Sequence, residues 1–160
     1  MATDSSVDPL ELAAHGRELS GIEYVRRIFA GELPPPPIAE LMGFSGVDVG
    51  PGRALFEMTP GHEHYNPIGT VHGGVAMTLL DSAMGCAVHT TLEAGVAYTT
   101  LEVKVNLVRP ITAETGLIRC EGTVVHSGSR VATAEGRLVD GSGKLLAHGT
   151  TTCLIMRQAP

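Results

Sequence analysis

Residues 72–90 run His72-Gly73-Gly74-Val75-Ala76-Met77-Thr78-Leu79-Leu80-Asp81-Ser82-Ala83-Met84-Gly85-Cys86-Ala87-Val88-His89-Thr90. Between Gly73 and Val88 the one charged side chain is Asp81, and apolar residues surround it at every helical angle. The run is too long for a strand, and a helix that is apolar all round is buried all round. It is also too short to span a bilayer, and it carries a carboxylate. A single sheet wrapped around such a helix leaves one face open, so the pattern predicts a second copy of the chain over that face.

Working outward, the period changes to two after Gly95. In residues 100–107, Leu101, Val103, Val105 and Leu107 take one face, and Thr100, Glu102, Lys104 and Asn106 the other. That alternation predicts a half-buried antiparallel strand. Three more strands are expected at 116–126, 130–139 and 144–156, divided by Ser127-Gly128-Ser129 and Asp140-Gly141-Ser142-Gly143. Upstream of the helix, strands at 46–49 and 53–58 flank the turn Gly50-Pro51-Gly52. Residues 59–71 read as a loop and 38–42 as one helical turn. Two strands, a long helix and four strands define an α+β domain, a curved antiparallel sheet wrapped around one central helix.

Residues 1–37 read as an N-terminal helical extension with a Pro-rich linker, leaving 38–160 for the main domain. Asp8-Pro9 is a cap and first turn for a helix through Leu10, Leu12 and Ala13. Ser20 and Glu23 have capping-box spacing, with Ile22, Val25 and Phe29 on one face and Gly31 as the stop. Pro34, Pro35, Pro36 and Pro37 form a stiff extended spacer.

Composition narrows the function. The 160 residues are 43% hydrophobic and 18% charged, which suits one globular domain. A net charge of −6 and only 4% aromatic residues argue against a nucleic-acid partner, which needs a basic surface or stacking platform. Cys86, Cys120 and Cys153 are too scattered for a disulfide framework or a metal knuckle. Residues 1–8 carry neither a basic n-region nor an apolar core, so a cytoplasmic protein without a signal peptide or membrane span is expected.

Asp81 is then the residue to explain. A buried carboxylate is unfavourable unless it is hydrogen-bonded. Thr78, Ser82 or nearby backbone would satisfy it as a plain core residue; alternatively it does chemistry. His72-Gly73-Gly74 at the helix start leaves free N–H groups at the positive end of the helix dipole, where a developing oxyanion would be stabilised. Equally, paired glycines permit close packing against another chain. Asp81 lies eight residues beyond Gly73, roughly 12 Å along the axis. One helix cannot supply both halves of a site, whereas two copies packed antiparallel bring the Asp81 of one near the Gly73 of the other.

The residues Asn66-Pro67-Ile68-Gly69-Thr70-Val71-His72-Gly73-Gly74, then Leu79-Leu80-Asp81, then Thr100-Leu101-Glu102 up to Arg109-Pro110 resemble the phenylacetate-degradation branch of hotdog-fold acyl-CoA thioesterases. The resemblance covers residues 41–156. It implies a hotdog fold, a dimer or dimer of dimers, and an acyl- or aryl-CoA substrate. It implies no metal, and no cofactor beyond the coenzyme A that the substrate carries. In these terms Asp81 is the nucleophile or general base, Gly73 the amide that polarises the carbonyl, Asn66 a loop side chain orienting that carbonyl or the attacking water, and Thr100 the hydroxyl supporting the carboxylate or the water. The extension departs from the minimal family pattern.

Substrate-binding candidates flank these positions. His72 and Gly74 adjoin Gly73, and His72 also reads as a structural residue of the loop that presents Asn66. For the coenzyme A end the candidates are Arg109 and the turn Gly128, Ser129 and Arg130, although an ordinary hairpin turn with a solvated Arg explains that spacing too. His62-Glu63-His64 near His72 raises a metal site, but no third ligand has suitable spacing. The alternative functions are a hotdog hydratase or dehydratase, which would pair a His with the carboxylate, and a non-catalytic acyl-CoA-binding protein. No His stands four or five residues from Asp81.

Overall fold

The computed structural model describes residues 8–157, so the terminal residues read above at 1–7 and 158–160 lie outside it. Three helices open the chain: α1 (Pro9–Glu18), α2 (Gly21–Phe29) and α3 (Pro37–Met42). Strands β1 (Phe44–Gly50) and β2 (Arg53–Met58) follow, then the long helix α4 (Gly73–His89). Strands β3 (Ala97–Leu107), β4 (Ile118–Ser127), β5 (Val131–Asp140) and β6 (Leu145–Met156) complete the chain. All six strands join one antiparallel sheet in the order β1-β2-β4-β5-β6-β3. The expected hotdog architecture is thus observed, with β1 and β3 as its free edges.

Helix α4 lies in the concave face. Leu79, Leu80, Ala83, Met84 and Val88 are almost completely shielded from solvent. The helix sits unusually close to the sheet because Gly122 of β4 and Gly136 of β5, a directly opposed pair, present no side chain to it. A Cβ on Gly122 would lie 2.3 Å from the Ala83 carbonyl oxygen, and one on Gly136 2.8 Å from Leu80 Cδ2. Glycine inside a strand commonly marks such a close approach.

The opposite side of α4 stays open. Asp81 and Ser82 are half-buried, and Met77 is 47% exposed. The helix is therefore not sealed within one chain, which matches the expected uncovered face. No helix among the described residues is long and apolar enough to cross a membrane.

Two local readings need correction. Ser20 is the N-cap of α2 but makes no side-chain cap bond, and Glu23 instead pairs with Arg27 at 2.6 Å, one turn along. Within the loop expected at 59–71, His62, Glu63 and His64 form a short 3-10 turn. On β3 the strict alternation fails at Leu101, where a β-bulge leaves that residue 59% exposed; Leu107 is 50% exposed. In the N-terminal extension, α2 packs over β1 and against the end of α4.

Gly122→Ala is expected to lower stability by about 1–3 kcal/mol, because the added methyl meets helix backbone that cannot swing aside. Thermal unfolding followed by circular dichroism reads this as a melting point several degrees lower; an unchanged midpoint would show that the helix seat is not tight.

Candidate active site

Asp81 projects from the open side of α4, and its partner is Thr100, whose Oγ1 donates to Asp81 Oδ1 at 3.0 Å. Thr78 does not satisfy the carboxylate, since its hydroxyl donates to the Gly74 carbonyl at 2.9 Å. The β3 bulge makes the Thr100 contact possible. Thr100 pairs with Cys153 and Glu102 with Thr152, so Leu101 is the extra residue. Strict alternation would turn Thr100 away from the face shared by Val103 and Val105; with the bulge, all three face inward. Bulges re-aim side chains in this way near functional sites.

Two cavities meet at Asp81. One of about 590 Å³ is lined by Asp81, Thr100, Arg17, Tyr24, His89 and Tyr98, among others. A smaller one of about 270 Å³ is lined by Met77, Thr78, Asp81, Val103 and Val105. His89 stands two turns beyond Asp81 on the same stripe of α4, with Gly85 between them. Tyr98 lies against that glycine: a Cβ there would be 2.7 Å from its hydroxyl. His89, Tyr98, Tyr24 and Arg17 were missed in the sequence, although the Asp81–Gly85–His89 spacing is visible as an i, i+4, i+8 series.

Burial sets the ionisation of this wall. It pushes the Cys86 thiol up to about 12, the nearby Asp81 charge adding to the effect, and it raises Tyr98 well above the ordinary phenol range. Burial alone depresses His89, favouring the neutral imidazole.

Most of the other predicted residues gather at the start of α4. Asn66, His72, Gly73 and Arg109 line a cleft of about 330 Å³. His72 caps the helix, its Nδ1 accepting from the Gly74 N–H at 2.9 Å, and the Val75 N–H donates to the His72 carbonyl at 2.9 Å. Among the described residues no protein group accepts from the Gly73 N–H. Asn66 shapes the loop: its Oδ1 accepts from the Ile68 and Thr70 N–H groups at 3.1 and 3.2 Å, and its Nδ2 donates to Thr70 Oγ1 at 3.1 Å. One Nδ2 hydrogen remains for a ligand. The Arg109 guanidinium donates to the Leu145 carbonyl.

Asp81 and Gly73 thus open onto different cavities of one chain. The turn carrying Gly128, Ser129 and Arg130 lies near the far end of α4, where Ser127 meets Thr91 at 2.9 Å, and it lines none of the three cavities. Among the described residues no three His, Cys, Asp or Glu side chains gather as a metal set. Both ring nitrogens of His64 are engaged, Nδ1 accepting from the Gly61 N–H at 2.9 Å and Nε2 meeting the Met42 carbonyl at 3.1 Å.

Comparison with known proteins agrees with this architecture. Residues 68–147 match the Thioesterase superfamily. Acyl-coenzyme A thioesterase 13 of Homo sapiens is 30% identical over 107 residues, 66% of this chain and 75% of that protein. A phenylacetic acid degradation-related protein from Ralstonia eutropha is 32% identical with a TM-score of 0.74, covering 82% of this chain and 98% of that one. The PaaI protein of E. coli shares the fold at 20% identity, with a TM-score of 0.74 over 86% of this chain and 96% of its own. The chain belongs to the thioesterase superfamily. Its class of activity is thioester hydrolysis.

Because folding holds His89 neutral, the unfolded chain binds a proton that the native state refuses. The His89 contribution is therefore complete above the ordinary histidine value and declines as pH falls through it. Between about pH 7.5 and about pH 5.5, wild type should lose more thermal stability than His89→Gln. Equal losses in both proteins would remove His89 as the cause.

Proposed function

We propose that the protein hydrolyses an aryl- or medium-chain acyl-CoA to the free acid and coenzyme A, in composite sites shared between two copies. The observation that carries this reading is the Asp81 carboxylate, with one oxygen held by Thr100 and its side chain open to two cavities. A carboxylate oriented through one oxygen keeps the other for a proton or a carbon centre. The Gly73 N–H, without a protein acceptor among the described residues and at the positive end of α4, is the matching oxyanion donor. The free edge of β3 and the uncovered stripe of α4 favour a homodimer or dimer of dimers that unites the two.

In the general-base route, Asp81 takes a proton from water as the water oxygen bonds to the thioester carbon. The carbonyl oxygen gains negative charge beside Gly73 of the second copy. Collapse breaks the C–S bond, and the departing thiolate of coenzyme A takes up a proton. In the covalent route the Asp81 carboxylate itself bonds to that carbon, the C–S bond breaks and the coenzyme A thiolate leaves with a proton from solvent. Water then opens the mixed anhydride to the free acid and restores the carboxylate. Asn66 fixes the loop beside the oxyanion site, and His72 holds Gly74 so that the Gly73 amide stays aimed.

Arg109 lies beside Gly73 and suits an anionic part of coenzyme A. Gly128, Ser129 and Arg130 stand apart from that cleft, so any contact they make with the same substrate comes from a neighbouring copy. No metal or added cofactor is invoked. The three unpaired cysteines accord with a cytoplasmic setting.

Asp81→Asn should leave the fold intact and reduce kcat by several orders of magnitude; turnover near wild type ends the assignment. Thr100→Val is expected to reduce kcat about tenfold or more by freeing the carboxylate, with Thr100→Ser recovering most of it. A single turnover in ¹⁸O-water tests the covalent route: label in the Asp81 peptide marks the anhydride, and its absence rules out an anhydride opened at the side-chain carbonyl. Mixing Asp81→Asn with Gly73→Val subunits should restore about a quarter of the wild-type sites, because each mixed dimer then holds one intact Asp81–Gly73 pair. No recovery on confirmed subunit exchange would place both groups in one chain.

A further inference from the structure

A further chamber, of about 560 Å³, lies under the N-terminal extension. Val25, Ile28 and Phe29 of α2 and Ala39 of α3 form one side, with Phe44 and Phe56 opposite them on the sheet. The chamber reaches α4 and β3, and it shares Tyr24, His89 and Tyr98 with the Asp81 cavity. These three rings form the partition: Tyr24 meets His89 edge-on at 5.6 Å between centroids, and His89 tilts against Tyr98 at 5.4 Å. The partition consists of side chains, which can change rotamer, whereas the frame around it is fixed. The start of α2 is seated directly on the end of α4, where a Cβ on Gly21 would lie 1.7 Å from the His89 carbonyl oxygen.

We infer that this chamber holds the distal, uncharged end of the acyl group, so that the extension sets acyl-length preference. The inference rests on the thioesterase reading above. Its size falls within the roughly 300–1,000 Å³ range of small-molecule pockets, and its walls are chiefly aliphatic and phenyl groups. The occupant is identified by continuity with the Asp81 cavity. Tyr98, seated on Gly85, stands one helical turn, roughly 6 Å, beyond Asp81, and His89 stands two turns, roughly 12 Å, beyond it. A short acyl group ends before the rings, and a medium-length chain extends past them into the chamber. Burying several methylenes there rewards the longer substrate in the transition state as well as in binding. The neutral His89 fits this role, because a charged imidazole on the path would oppose an apolar chain.

The test compares hydrolysis of acetyl-CoA and decanoyl-CoA by wild type, Ile28→Trp and Ala39→Leu, two substitutions on different helices that fill the same space. Wild type should prefer decanoyl-CoA, and each variant should lower the decanoyl-to-acetyl ratio of kcat/KM by about tenfold or more. An unchanged ratio in folded variants overturns the chamber and leaves the thioesterase reading standing. Absence of thiol release by wild type from both substrates and from an aryl thioester such as benzoyl-CoA overturns that reading instead. A measurement independent of variants and turnover is hydrogen exchange of wild-type protein with decanoic acid. Residues 21–29 should exchange more slowly with the acid present, and an unaltered rate would also overturn the inference.

Discussion

The close seat of α4 on Gly122 and Gly136 is the constraint from which the other features follow. With helix backbone against strand backbone, the helix can neither rotate nor withdraw without opening a void in the core. Its buried stripe of Leu79, Leu80, Ala83 and Met84 is therefore fixed on the sheet. By helical geometry Asp81, Gly85 and His89 are then fixed toward the gap between the free edges of β1 and β3. A carboxylate in the most apolar helix of the chain is tolerable because this gap admits solvent and Thr100 reaches across it.

Within that frame the chemistry divides along the helix. The free amide is at one end with the Asn66 loop, and the carboxylate lies about two turns away with Thr100. Neither group is useful alone: an oxyanion donor needs an attacking group within reach, and a base needs a polarised carbonyl. In the proposed dimer a two-fold axis would exchange the two ends, so that the same stretch of sequence supplies both halves of each site.

The extension solves a different problem. A curved sheet whose first and last strands in the spatial order stay apart leaves the end of its central helix exposed. Helix α2 covers the Cys86–His89 portion of α4 and packs Phe29 edge-on against Phe56, with ring centroids 5.0 Å apart. The coverage is incomplete, and the space left over is the apolar chamber. Covering helices that stop short of close packing provide volume without weakening the core beneath.

Much of this was legible in the residues because it depends on local periodicity. The 3.6-residue and two-residue patterns, with Gly and Pro at the breaks, set the long helix at 73–89 and the six strands to within a few residues. Asp81 announced itself as the one charge in an apolar run. The rest depended on contacts between distant segments. Thr100 faces Asp81 through a bulge that the alternation of residues 100–107 gave no sign of, and resemblance alone had pointed to it. His89 and Tyr98 meet only when α4 and β3 pack, and Ser20 and Glu23 had box spacing without forming the box. The amino-acid order by itself determined which segments are helix or strand and which residue carries the isolated charge, since those follow from repeat and polarity along the chain. Only the folded chain decided what faces that charge, how the cavities connect and where the extension rests, because those are set by the register and close packing of segments far apart in sequence.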